Sequence, residues 1–480
     1  MKTQFLTLAL LPVLAFSQPK LKKVPTLDPD KQTILANLDK QFPNYAAISR
    51  QIWDFAEVGF HENKSSALLQ DELKRAGFDV NADVAGMPTA FVATFGSGKP
   101  VIGLLAEFDA LPGLATDAKP EFTPISGQKC GHGCGHNLFG TASLAAAIEL
   151  KEWLKKEGRS GTVRLYGCPA EENGEGKVYM VREGLFNDID VALHWHPSSV
   201  NVANPYSTMA LIAARVRFKG IAAHAAAAPE QGRSALDGVE AMNHMVNLMR
   251  EHIPSDARVH YVITKGGEAP NVVPAFAEVY YYARHKNREV LRSIWKRIEN
   301  AAEGAAKGTG TQVEIEIEGG VFDVLPNVTL AESAYKNLKT VGGIQYTPEE
   351  SDFAQKVASS LTSKIDLSYA SQVIPFDSAT AADNSSTDVG DVSWAVPTVG
   401  FVTATWVPGT GPHSWQAVAA SGMSIGQKGM LVAAKTLALT ALDLYKTPAL
   451  IEKARKEWVD RRGVDFKYES FIGNRKPPVK

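Results

Sequence analysis

The sequence predicts an α/β fold: a doubly wound, mostly parallel sheet with helices on both faces, interrupted by an inserted α+β domain. Three observations predict it. Apolar runs without alternation, such as "PVIGLLAEFDALPG", read as strands buried on both faces. Strand-like and helix-like segments then alternate up to "DVALHWHP", the pattern that generates a parallel sheet. From Tyr206 onward apolar residues alternate with polar ones, which marks a second sheet with one solvated face.

The elements follow in order. "MKTQFLTLALLPVLAFSQPK" carries Lys2, an apolar run from Phe5 to Phe16, and the small residues Ala15 and Ser17. It reads as a signal peptide over residues 1–17, cut before Gln18, which implies an exported protein, periplasmic or secreted. The run falls short of the ~20 residues a spanning helix needs, so no membrane anchor is expected. Residues 18–31 read as a leader with little structure. A helical period runs from Lys40 to Phe78 and closes at Gly77. The strands "TAFVATFGSG" and "PVIGLLAEFDALPG" come next, then a Cys/His loop and the helix "TASLAAAIELKEWLKKEG". The strand "GTVRLYGCPAEE", a short helix to Gly184 and the strand "DVALHWHP" complete a first segment, residues 18–205.

Residues 206–322 read as the inserted domain, with strands at "STMALIAARVRFKG", "ARVHYVITKGG" and "FAEVYYYARHKN" and two helices. The larger domain resumes over 323–450 with "STDVGDVSW", the strand "TVGFVTATW", a loop holding His413 and the long helix "SIGQKGMLVAAKTLALTALDLY"; residues 451–480 form a tail. Two domains suit 480 residues with 45% hydrophobic side chains. A net charge of −2 gives no field that would draw in nucleic acid or an anionic membrane.

Chemistry gathers where predicted strands end. Cys134 and His136 lie in "CGHGCGHNLFG", Glu171 and Glu172 follow "LYGCPA", His194 and His196 follow "DVAL", and His413 sits in a Gly/Pro loop. In parallel sheets such ends converge on the ligand crevice. Thiolate, imidazole and carboxylate donors together suit one or two divalent ions, zinc or manganese. Two adjacent glutamates permit one to bind the ion while the other stays free as a base. Cys130 and His132 read as structural neighbours of the ligand loop. A Cys130–Cys134 disulfide would close a strained, very small loop.

The ordered motifs "GLLAEFDALPG", "GHGCGHNLFGTA", "GCPAEENGEGK", "ALHWHP", "FKGIAAHAA", "APNVVP", "STDVGDVSW" and "GPHSWQ" resemble those of the aminoacylase and carboxypeptidase family of metallo-amidohydrolases. The likeness covers about residues 35–445 and points to the amidohydrolase branch. It implies a zinc-peptidase-like catalytic domain with a ferredoxin-like lid that also dimerises. It further implies that Cys134, His136, Glu172, His196 and His413 bind metal, with His194 the alternative to His196. Glu171 is then the general base, and Asp109 orients a metal ligand, with Glu107 standing where other branches have His or Asp. His224 polarises the scissile carbonyl, often across the dimer, while Asn271 and Arg284 hold the substrate carboxylate.

The expected activity is metal-dependent hydrolysis of the amide between an acyl or aroyl group and an amino acid. N-acyl amino acids, dipeptides and aminobenzoyl-glutamate-like compounds are the expected substrates. The expected assembly is a homodimer, or a heterodimer with a related subunit. Two other readings stay open at this level: a thiol amidase using Cys134 as nucleophile, and a non-catalytic binding protein on the same fold.

Overall fold

The computed structural model describes residues 27–479. The signal-peptide expectation lies outside those residues. Among them, no helix is long and apolar enough to cross a membrane.

The first helix, α1 (Pro29–Phe55), starts where Asp28 accepts the Asp30 amide and Pro29 occupies the first turn. It ends at Ala56 in the left-handed region, and α2 (Asn63–Arg75) follows. The helical period from Lys40 to Phe78 is thus two helices. The interruption lies at "AEVGFHE", which contains no proline and a single glycine, Gly59, to mark a break. Residues 29–31, expected in the leader, are already helical.

The main sheet contains β1 (Asp79–Ala82), β2 (Phe91–Ser97), β3 (Val101–Ala106), β4 (Gly161–Gly167), β5 (Val191–Ser198) and β10 (Thr398–Ala404), in the order β1-β2-β4-β3-β5-β10. β4, β3, β5 and β10 run parallel, and β2 runs against β4. Every residue of β3 is buried, as its unbroken apolar run requires. Helix α3 (His136–Glu157) begins five residues earlier than its alanine-rich stretch suggested, with His136 itself in the first turn. It comes close to the end of β3 because residue 140 is glycine: a Cβ there would lie 2.7 Å from the Glu107 carbonyl oxygen. A short helix, α4 (Gly176–Arg182), links β4 to β5.

A second, antiparallel sheet is built from β6 (Ala210–Lys219), β7 (Arg258–Lys265), β8 (Phe276–His285) and β9 (Gln312–Val321), in the order β7-β8-β6-β9. Helices α5 (Ala235–Met249) and α6 (Arg288–Thr309) cover one face through Val239, Met242, Leu291 and Ile298. β9 adds a fourth strand to the three expected; its "QVEIEIE" alternates glutamate with short apolar residues and carries few core side chains. Its glutamates instead pair with β6 arginines: Arg215 Nε meets Glu318 at 2.7 Å and Arg217 Nη1 meets Glu316 at 2.6 Å.

After β9 come α7 (Val328–Val341), α8 (Pro348–Ser360) and α9 (Val389–Ala395), then β10, α10 (Trp415–Ser421) and α11 (Ser424–Lys446). The expected tail is largely structured. Its first part is α12 (Pro448–Arg462), and the residues beyond it pack Ile472 into the core and Phe471 against Phe322.

Candidate metal centre and substrate cavity

The C-terminal ends of the parallel strands deliver the polar groups. Glu107 and Asp109 follow β3, Glu171 and Glu172 follow β4, His196 lies near the end of β5, and His413 lies in the loop after β10. Cys134 and His136 enter from the N-terminal turn of α3. Ligand atoms of Cys134, His136 and His196 lie within 4.8 Å of one another, and so do those of Cys134, Glu172 and His413. A third such group joins Glu107, His136 and Glu171. Two triads sharing Cys134 would suit one or two divalent ions.

The donor set fits a divalent cation. Glu172 Oε1 is buried with no hydrogen-bond partner among the described residues, and Glu107 Oε2 and His136 Nε2 face each other at 3.1 Å without forming a hydrogen bond. Buried polar atoms are almost always paired, so this cluster of unbonded donor atoms marks a place for a charged ligand. The residues behind them are fully engaged. One Asp109 oxygen lies 2.8 Å from His136 Nδ1 and the other accepts the Glu172 amide at 3.0 Å. Asp109 thereby fixes the ring orientation of one candidate ligand and the backbone of another, the usual duty of a carboxylate behind a metal-bound histidine.

The two histidines of "HWHP" part company. His196 Nε2 lies 3.4 Å from Cys134 Sγ, and its Nδ1 faces the Pro197 carbonyl at 2.8 Å. His194 is buried two residues earlier along the strand. Its Nε2 faces the Tyr206 hydroxyl at 3.3 Å, and it packs over Gly400 of β10, where any Cβ would run into the ring. Burial, with Lys177 and His196 nearby, pushes His194 down to about 3, so it is neutral.

Burial and the adjacent Glu107 and Glu172 carboxylates hold Glu171 well above the usual carboxylate range. Burial and Glu172 push the Cys134 thiol up as well, the opposite of the electropositive setting that activates a nucleophilic cysteine. All three cysteines are free. Cys130 is only partly buried, and His132 Nε2 faces the Ile52 carbonyl at 3.0 Å, away from the ligand group. His413 has a φ of 57°, and Ala170, just ahead of the paired glutamates, has a φ of 58°. Non-glycine residues in the left-handed region concentrate at sites where geometry matters more than local comfort.

A cavity of about 980 Å³ opens from this cluster toward the second sheet, walled there by Tyr280, Tyr282 and Arg284 of β8. The Arg284 guanidinium lies 5.6 Å from the Tyr282 ring centre, and its Nε is buried without a partner. His224 and Asn271 are not among the lining residues. They sit side by side on exposed loops at the far end of the second sheet, joined by an Ala225 amide to Asn271 carbonyl bond of 3.0 Å. One chain therefore brings Arg284 to the cavity and leaves His224 and Asn271 outside it.

Several residues of the site leave almost no trace in the sequence. Lys177 is wholly buried and touches both Glu107 and Asp388. A lone lysine in the apolar stretch "GKVYMV" was its only trace. Glu62 accepts the Ala170 amide at 2.8 Å and the Thr89 hydroxyl at 2.9 Å, bracing the turn that carries the glutamate pair. Burial and the Asp109 carboxylate raise it to about 8.

Residues 206–310 match the family model of the peptidase dimerisation domain. The chain is 43% identical over 439 residues to a subunit of the p-aminobenzoyl-glutamate hydrolase of Escherichia coli, covering 86% of this chain and 91% of that protein. It is 30% identical over 458 residues to the Xaa-Arg dipeptidase of Mus musculus, covering 92% and 95%. Among solved structures it resembles a dinuclear metal-binding peptidase of the M20 family from Bacillus subtilis, with a TM-score of 0.57 at 17% identity over 87% of this chain and 99% of that one.

Proposed function

The chain belongs to the M20 family of peptidases and amidohydrolases, metal-dependent hydrolases of amide bonds, and on that premise we propose the residues that do the work and the bond they cleave. The bond is the amide joining an acyl or aroyl group to the nitrogen of an amino acid whose carboxylate is free. The observation that carries the reading is the pair of triads that share Cys134, one with His136 and His196 and the other with Glu172 and His413, with Glu171 grouped with His136 and a cavity leading away.

Cys134, His136, Glu172, His196 and His413 hold one or two divalent ions, zinc or manganese. A bound ion of this kind supplies Lewis acidity toward a carbonyl oxygen and lowers the pKa of water. Asp109 fixes the His136 ring through Nδ1, leaving Nε2 as the nitrogen that would bind an ion. Glu171 takes a proton from the attacking water and returns it to the leaving nitrogen. Arg284 binds the free carboxylate of the amino acid and so places the scissile carbonyl at the cluster. His224, exposed on its loop, reaches the carbonyl oxygen of a second copy or a related subunit, with Asn271 beside it. The matched dimerisation domain supports that arrangement.

The test is hydrolysis of N-aroyl, N-acyl and dipeptide substrates after chelation, then with zinc or manganese restored. Activity should vanish and return. Full turnover in chelated protein, abolished by iodoacetamide, would replace this reading with the thiol amidase.

A further inference from the structure

The end of the chain, beyond α12, reaches the substrate cavity. Tyr468 donates its hydroxyl to Asp391 at 2.6 Å, Ile472 is buried, and Arg182 Nη1 binds the Gly473 and Arg475 carbonyls at 3.1 and 2.6 Å. The backbone at Arg475 is thus pinned, and its side chain lines the cavity.

The charges on the cavity wall do not balance. Arg284 and Arg475 are its two cationic side chains, and neither makes an ion pair among the described residues. Away from the candidate metal cluster, the wall carboxylates already have partners. Glu318 is paired with Arg215 at 2.7 Å, Asp388 with Lys177 at 2.8 Å, and Asp383 accepts the Ser385 amide at 2.9 Å at the rim. Glu175, an acid within the field of Arg475, turns its Oε2 to the Gly320 amide at 2.6 Å. Burial raises it to about 8, so at neutral pH it does not offset the arginine. The Arg475 guanidinium neighbours the Tyr179 hydroxyl, a neutral group. A guanidinium kept half out of water with no counter-ion beside it is arranged for one that arrives with a ligand.

We propose that Arg475 is a specificity-determining residue that binds a second carboxylate of the substrate, at the side-chain end of an acidic amino acid whose α-carboxylate is held by Arg284. The inference rests on the amide-hydrolase reading above. A monocarboxylic amino acid would use one guanidinium and leave the other unsatisfied. A dicarboxylic one satisfies both, and the C-terminal segment then reads part of the substrate that the lid strand does not.

The experiment compares N-benzoyl-glutamate with its neutral isostere N-benzoyl-glutamine, on metal-loaded full-length protein, in the parent, Arg475→Met and Arg475→Lys. The parent should favour the glutamate compound. Arg475→Met should lower kcat/KM for it by roughly 10- to 100-fold while leaving the glutamine compound within about twofold, and Arg475→Lys should recover part of the loss. Calorimetry with free glutamate and glutamine gives a readout independent of turnover, with the same selective weakening expected for glutamate. Equal loss on both compounds, or a parent that does not distinguish them in turnover or binding, overturns the assignment. Neither result touches the hydrolase reading, which fails only if no amide in the panel is cleaved.

Discussion

The Lys177 ammonium lies 2.6 Å from the Glu107 carboxylate in a place that solvent does not reach. Asp388 accepts from the same ammonium at 2.8 Å, so the lysine sits between two acids. Glu107 in turn faces His136 Nε2 at 3.1 Å. A fixed internal cation therefore stands beside the candidate metal cluster.

Replacing one member of such a group leaves buried charge without compensation. Lys177→Met should destabilise the protein by about 3–5 kcal/mol in denaturant unfolding. Asp388→Asn should cost less, since Glu107 and Lys177 remain as a pair. Equal, small effects for both would mean the triad is neutralised by protonation.

The paired histidines of β5 separate cleanly by experiment. His196→Ala should abolish binding of zinc or manganese at micromolar concentrations, measured by metal analysis after dialysis. His194→Ala should retain metal and lose stability, because it empties space between Tyr206 and Gly400. The reverse pattern would assign His194 as the ligand.

How far this was legible from residues alone depends on what each residue leaves in the sequence. Cys134, His136, the glutamate pair and His413 stand out because reactive residue types recur where apolar runs stop. His194 against His196 turns on strand register, which residues alone do not reveal: the pairing of His194 with Gly400 fixes which ring lies deeper along the strand. Glu62 and Lys177 could not be found by pattern, since each acts through a partner far away along the chain, and Arg475 reaches the cavity only because its backbone is held by Arg182. The strand Gln312–Val321 was hidden for a different reason: its charges are satisfied across the sheet, which no hydrophobic period reveals.

Glu175 makes a pH-dependent contribution to stability. Its carboxyl is raised from the ordinary 4.5 to about 8 by burial, so the folded state holds the proton more tightly than the unfolded chain. That contribution is complete below pH 4.5, declines as pH rises through 8 and is absent above. Glu175→Gln keeps an acceptor for the Gly320 amide and removes the titration. The variant should match the parent near pH 4 and be the more stable of the two at pH 9, by about 1–3 kcal/mol. A difference that does not change with pH would exclude the effect.

The exposed position of His224 predicts complementation. His224→Ala and Glu171→Gln should each lose turnover by orders of magnitude. Mixed and reassociated, they should recover about a quarter of parental activity, because half of the dimers are hybrids with one intact site. No recovery in demonstrably mixed dimers would place His224 in its own chain's reaction.

Every role assigned to the site depends on donors from separate strand ends sharing a cation. The most direct measurement is an anomalous difference map from crystals grown with zinc or manganese. A peak should lie about 2.0–2.3 Å from Cys134 Sγ and from nitrogens of His136 and His196, with any second peak at Glu172 and His413. Crystals saturated with metal that give no peak among these residues, in protein that still hydrolyses amides, would contradict the account.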